Sequence, residues 1–412
     1  MTSSPITSLP EGFLWGASTS AHQTEGGNTN SDWWPMERAA GEGGHIKEPS
    51  GDACDSYHRW REDMDLLAEL GFTDYRFSIE WARIEPEPGE ISRAALAHYR
   101  RMVEGAHERG LRPMVTLHHF TSPRWFAEHG GWAAPDAGEL FARYVEATAP
   151  VYADGVDHVC TINEPNMIAL MAPLLDLMLG RTDPSEMSFP TAGLPMPGEQ
   201  ATEALVRAHR LAVEAVKSRA PHVRTGWSVA NQVSHALPGV EGAEEARAAY
   251  LRPREDVFLE AARGDDWLGV QSYTRTLIGA DGPLPVPEDV ERTLTGWEFY
   301  PGALGDALRH TAATAPGVPL IVTENGIATA DDTRRVAYTA GALEGMAAVM
   351  ADGVDVRGYF HWSALDNYEW GSYAPTFGLI AVDRETFVRT PKPSAAWLGA
   401  AGRTRVLPGA GA

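Results

Sequence analysis

Eight short apolar runs recur along the chain, separated by longer stretches in which apolar residues return every three or four positions. The runs are FLWGAST from Phe13, FTDYRFSIEW from Phe72, RPMVTLHHF from Arg112 and DHVCTIN from Asp157. They continue with RTGWSVANQ from Arg224, DWLGVQSY from Asp266, VPLIVTEN from Val318 and VRGYFHWS from Val356. Most are apolar on both faces, as strands of a parallel sheet covered by helices must be. Between them, YHRWREDMDLLAELG keeps Trp60, Met64, Leu67 and Leu70 near one helical face and stops at Gly71, a helix-ending residue. EALVRAHRLAVEAVKSRA and TRRVAYTAGALEGMAAVMADG read the same way. Strand and helix alternating eight times predicts an α/β protein, a (β/α)8 TIM barrel, as a single domain over residues 1–412. A doubly wound sheet would want a G-x-G-x-x-G turn after an early strand, and the sequence has none there.

A barrel gathers the C-terminal ends of its strands on one rim, where catalytic side chains sit. The predicted strands end on His118 and His119, Asn163 and Glu164, Tyr273, Glu324 and Asn325, and Trp362, while Gln23 and Glu25 follow the first. TINEP closes the fourth strand and IVTENG the seventh, so two glutamates from well-separated strands can face each other across the mouth. Glu164 followed by Pro165 also fits a carboxylate at a helix N-terminus with proline in the first turn. Two facing carboxylates suit glycosidic bond cleavage: one protonates the leaving oxygen, the other meets positive charge at the anomeric carbon. A separation of about 5–5.5 Å implies retention and about 6.5–9.5 Å implies inversion.

Composition narrows the partners. The 412 residues are 43% hydrophobic and carry a formal net charge of -22, which argues against nucleic acid or an anionic membrane surface. A neutral small molecule fits better. Two cysteines, Cys54 and Cys160, cannot build a disulfide framework, and Cys160 reads as a buried thiol. The N-terminus MTSSPITSLPEGFLWG lacks a basic start and a long apolar core. The run MIALMAPLLDLMLG is too short to span a bilayer and is broken by Pro173 and Asp176. The expected location is the cytoplasm; self-association is left open. His118 and His119 are adjacent on a strand and point to opposite faces, so one is expected to reach the site and one to pack against a helix. Asp55 and His58 have a spacing that metals can use, but a capping or packing role is expected. No metal and no cofactor are expected.

FLWGASTSAHQTEG, YRFSIEWARIEPEPG, VTLHHFTSPRW, TINEP, TENG and GYFHWSALDNYEW resemble, in order, the motifs of glycoside hydrolase family 1, the β-glucosidase-type retaining glycosidases. The resemblance runs from residue 13 to residue 370 and implies Glu164 as general acid/base and Glu324 as nucleophile. It implies Arg76 and Tyr273 as partners of that nucleophile and Asn163 as ligand of the sugar 2-hydroxyl. It further implies Gln23, His119, Glu369 and Trp370 as ligands of the other hydroxyls, and Trp362 as the indole under the ring. Phe120 stands where the family often has tryptophan.

Three departures stand out. Gln271-Ser272-Tyr273 replaces the family's Asn-Tyr-Tyr. GSYAPTFGL after Trp370 is one residue shorter than the common form, and the resemblance implies Phe377 there against the sugar 6-hydroxymethyl. The Ser and Lys-x-Tyr of relatives acting on 6-phosphorylated sugars are absent, implying an unphosphorylated glycone. The third departure is the segment NMIALMAPLLDLMLGRTDPSEMSFP, unusually rich in Met and Leu, which reads as a barrel helix burying its inner face. A sharper reading puts Met167, Met171 or Met178 beside the leaving group and predicts a small-molecule β-glycoside with an apolar aglycone. The loops after the fifth and sixth strands read as short, leaving the mouth open. The rivals to hydrolysis are a transglycosidase using the same residues, a non-catalytic carbohydrate-binding barrel and an unrelated metal-dependent barrel enzyme. The glycone itself is not fixed by these motifs.

Overall fold

The computed structural model describes residues 8–39, 46–178 and 192–409, with backbone alone for 173–178. Eight parallel strands form a closed barrel: β1 (Leu14–Ser18), β2 (Asp74–Ser78), β3 (Arg112–Thr116), β4 (His158–Asn163), β5 (Arg224–Ala230), β6 (Leu268–Gln271), β7 (Leu320–Asn325) and β8 (Val356–Trp362). Each lies within a predicted run. Sequential strands are neighbours all the way round, and β8 closes on β1 with Leu14 opposite Gly358 and Ser18 opposite Trp362.

The alternation of side chains along each strand sorts them into two cores. Leu14, Met114, Cys160, Trp267, Ile321 and Phe360 turn inward and form an apolar plug. Outward residues such as Val159, Leu320, Val322 and Tyr359 join the larger core between barrel and helices. A polar layer also lies inside the barrel: Thr323 Oγ1 donates to Ser228 Oγ at 2.9 Å, and Ser18 Oγ donates to the Thr323 carbonyl at 2.9 Å. The plug makes the barrel a packed core rather than a pore, so a ligand has room only at the rim.

The connection after β6 is not short. Residues 272–302 separate it from the helix Ala303–Thr314, and there Thr276–Gly279 pairs on one side with Gly282–Pro283 and on the other with Ser234–Ala236 from the β5 connection. Its Gly, Pro and Asp residues read as turns, but they support a small sheet that needs a partner strand from elsewhere in the chain. Asp55 precedes the helix Ser56–Leu70 without capping it; its carboxylate pairs with His58 at 2.6 Å and Arg59 at 3.0 Å. Among the described residues no three His, Cys, Asp or Glu side chains gather as a metal site, and no helix is long and apolar enough to cross a membrane.

Candidate active site

A cavity of about 830 Å³ opens at the C-terminal rim and is lined by Gln23, His119, Phe120, Glu164, Gln271, Tyr273, Glu324, Trp362, Glu369, Trp370 and Phe377. Every residue of the sequence-derived set except Arg76 and Asn163 lines it directly, and those two are fully buried just behind Glu324. Glu25 is not part of it; its carboxylate pairs with Arg83 at 2.8 Å and accepts from Tyr99.

Irregularities in two strands aim the key groups. The register of β4 against β5 shifts between Cys160 and Asn163. Thr161 bonds His209 on an outer helix and Ile162 packs in the outer core, so two consecutive residues face out and Asn163 returns inward. The register of β7 against β6 shifts between Val322 and Glu324, and Thr323 and Glu324 both turn to the barrel axis. A bulge re-aims a side chain in this way. Glu164 itself adopts a left-handed φ of 47°. Its carbonyl accepts from the amides of Met167 and Ile168, so it also opens the helix Pro165–Met178.

Glu324 is held on both oxygens. Arg76 Nη1 donates to Oε1 at 2.8 Å and the Tyr273 hydroxyl donates to Oε2 at 2.6 Å. Glu164 has no ion pair or side-chain hydrogen bond among the described residues. Burial lifts the pKa of both carboxyls. At Glu164 the nearby charge of Glu324 adds to the lift, whereas at Glu324 Arg76 and Tyr273 oppose it, with a smaller contribution from the Gln271 amide. The pair therefore keeps its proton on Glu164 and its charge on Glu324. Tyr273, raised by burial and by the same carboxylate, stays protonated as a donor.

The remaining polar groups form a ring. Trp362 Nε1 and Gln23 Nε2 each donate to one oxygen of Glu369 at 3.3 Å, long contacts that leave its lone pairs open to a ligand. Burial pushes the Glu369 carboxyl up to about 8. His119 Nε2 lies 3.4 Å from Asn163 Nδ2, and burial beside Arg76 holds its imidazole neutral. His118 points the other way, against Trp81, Trp132 and Phe141, with Ser122 Oγ at 3.0 Å. The Trp362 indole stacks on His119 at 5.7 Å, and Trp370 stacks on His22 at 5.6 Å with 7° between planes. A cis peptide joins Trp362 to Ser363. Phe377 packs against Tyr273 at 5.8 Å.

Several lining residues escaped the sequence reading. Trp33 buttresses Trp370 at 4.8 Å, Trp297 stands 5.8 Å from Tyr273, and Asp32 carries a carboxyl that burial pushes up to about 7. The signal available for the first and third is SDWW, a polar pair followed by adjacent indoles that open the helix Trp33–Ala39. Met167 and Met171 line the cavity; Met178 lies outside the described side chains.

The profile of Glycosyl hydrolase family 1 matches residues 6–264 and 268–405. A β-glucosidase of Agrobacterium sp. is 32% identical, with 95% of each chain covered. Among solved structures, β-glycosidase BGL167 shares 46% identity at a TM-score of 0.87, covering 96% of this chain and 97% of that one. The β-glucosidase of Thermotoga maritima in complex with glucoimidazole shares 26% identity at a TM-score of 0.85, covering 97% and 100%. With the profile matched from end to end and the same barrel in its relatives, the chain belongs to glycosyl hydrolase family 1.

Proposed function

We propose that this glycoside hydrolase cleaves β-linked glucoside-type substrates with retention, through a glycosyl-enzyme on Glu324. The observation that carries the reading is the unequal treatment of two carboxyls in one cavity: Arg76 and Tyr273 hold Glu324, and nothing comparable holds Glu164. Glu164 protonates the departing oxygen while Glu324 attacks the anomeric carbon. Forming the ester removes the charge on Glu324, so Glu164 loses its repelling neighbour, becomes more acidic and takes a proton from water in the second step. Asn163 serves the 2-hydroxyl; Gln23, His119, Glu369 and Trp370 serve the others, over the face of Trp362. Phe377 lies by Tyr273, where it fits the edge of the ring.

The cavity also contains Met167, Ile168, Met171, Leu194, Val286 and Trp297, and the indole of Trp297 is partly exposed. An apolar aglycone suits that lining, since thioethers and indoles pack against varied rings. Catalytic efficiency on an aryl β-glucoside is expected to exceed that on cellobiose, and equal values would sink the aglycone assignment. NMR of the first product should show the β-anomer. An initial α-anomer would mean inversion, and predominant transfer to an added alcohol would mean a transglycosidase. Glu324→Ala should lose activity and, with azide and a reactive aryl glucoside, regain it as the α-glycosyl azide. Unrescued activity loss would remove Glu324 from the nucleophile role.

A further inference from the structure

Gln271, the residue at which the chain departs from the family pattern, is buried at the end of β6 with its Cα in register with Glu324. Its Nε2 donates to Asn163 Oδ1 at 2.7 Å, reaching past the end of β5 to β4. Arg76 Nη2 donates to the same oxygen. Two donors fill both lone pairs of that carbonyl. The Asn163 amide is thereby locked in one orientation, with Nδ2 turned toward His119 and away from Arg76 and Gln271.

The orientation of Gln271 is fixed in turn. A flipped amide would set Oε1 against Asn163 Oδ1, acceptor against acceptor. In the observed orientation Oε1 is buried without a partner among the described residues. The donor end of the amide is the one that matches Asn163 Oδ1, an acceptor already fixed by Arg76. Backbone contacts hold the residue in place: Asn231 Oδ1 accepts from the Gln271 amide at 3.2 Å, and Asn231 N donates to its carbonyl at 2.7 Å. The chain asks a long side chain to span two strand spacings, which a shorter amide from the same Cα covers less fully.

Resting on the reading of the glycone site above, we infer that Gln271 is a positioning residue that locks the Asn163 amide with its N–H toward the sugar 2-hydroxyl. Gln271 reaches the sugar through Asn163, its closest partner, while its amide gives a smaller support to the charge on Glu324. The 2-hydroxyl contact strengthens in the transition state, so loss of the lock lowers kcat more than it raises KM.

The test compares 4-nitrophenyl β-glucoside with its 2-deoxy analogue in wild-type enzyme, Gln271→Leu and Gln271→Asn. Gln271→Leu should lower kcat/KM on the parent substrate by about tenfold or more, the scale of one well-placed hydrogen bond. On the 2-deoxy substrate, which offers Asn163 nothing to bind, the loss should be at least about threefold smaller, the remainder reflecting the support that Gln271 gives Glu324. Gln271→Asn keeps the amide and should recover part of the loss on the parent alone, which covers the case in which the leucine variant folds poorly. Equal losses on both substrates in either variant, or none on the parent, would overturn the positioning role. A wild-type enzyme inactive on both substrates would overturn the glucoside reading on which this inference rests.

Discussion

The proposed nucleophile is made by its neighbours. A carboxylate buried in a barrel mouth tends to take up a proton, and Glu324, in the role proposed for it, has to resist that to attack carbon. Arg76 supplies a fixed positive charge at 2.8 Å and Tyr273 a hydroxyl at 2.6 Å. Hydrogen bonds to a charged group are worth more than neutral ones. Tyr273→Phe removes one of them and leaves the ring, which packs on Phe377. Because the hydroxyl favours the ionised form, its loss raises the pKa of Glu324. The acid limb of the kcat/KM profile should move to higher pH, and activity at neutral pH should fall by about 10- to 100-fold. A pH–rate profile measures both, and an acid limb that stays put would show that the hydroxyl does not support the charge.

At the scale of the element, the two bulged strands explain both what the sequence reveals and what it hides. Strand positions were legible because parallel strands buried on both faces leave continuous apolar runs. The residues at their ends were legible because polar groups at the close of such runs have few other reasons to be there. Strict alternation, however, would put Glu324 on the face opposite Ile321 and Thr323, facing the helices. The shift between Val322 and Glu324 undoes that, and no residue in LIVTEN announces it. The stacked His22, Trp370 and Trp33 were hidden for a related reason: they meet only when loops from both ends of the chain converge. The glycine of TENG, by contrast, now has a physical cause. A Cβ on Gly326 would lie 2.0 Å from the carbonyl oxygen of Trp362, so β7 and β8 can approach closely only if residue 326 has no side chain. Gly326→Ala should push the Trp362 platform away from the site. Overpacking of this kind costs about 1–3 kcal/mol, so the melting temperature and kcat/KM should fall together. Wild-type values for both would show that the strands have slack at this point.

The whole molecule carries 56 acidic and 34 basic residues, and several of its carboxyls are buried without a full complement of cations. Burial pushes Asp32 up to about 7, and Glu80 and Glu369 up to about 8. Carboxyls with raised folded-state values bind more protons folded than unfolded, so they stabilise the fold at lower pH and lose that contribution as pH rises through the folded value. Buried histidines act in the opposite direction over another range. Burial holds His118 and His361 down to about 3 and His98 and His158 down to about 4, so these contributions are lost as pH falls below about 6.5. Between about pH 7.5 and 8.5 these four histidines are neutral in both states while Glu80 and Glu369 are still losing their contribution, and His310, raised by its bond to Asp256, loses its own in the same direction as pH rises. Stability should therefore decline across that window, with self-repulsion of the acidic surface adding to the fall. Glu80 offers the clean test, because it is buried outside the cavity lining and bonds only Ala82 N and Thr121 Oγ1 among the described residues. Glutamine imitates its protonated form. Glu80→Gln should melt above the wild-type temperature already at pH 6, because Glu80 is ionised in the unfolded chain there, and by a wider margin at pH 8.5, read by calorimetry in matched ionic strength. Parallel melting curves for the two proteins across that range would mean that Glu80 is already ionised at pH 6 and that burial does not govern its charge.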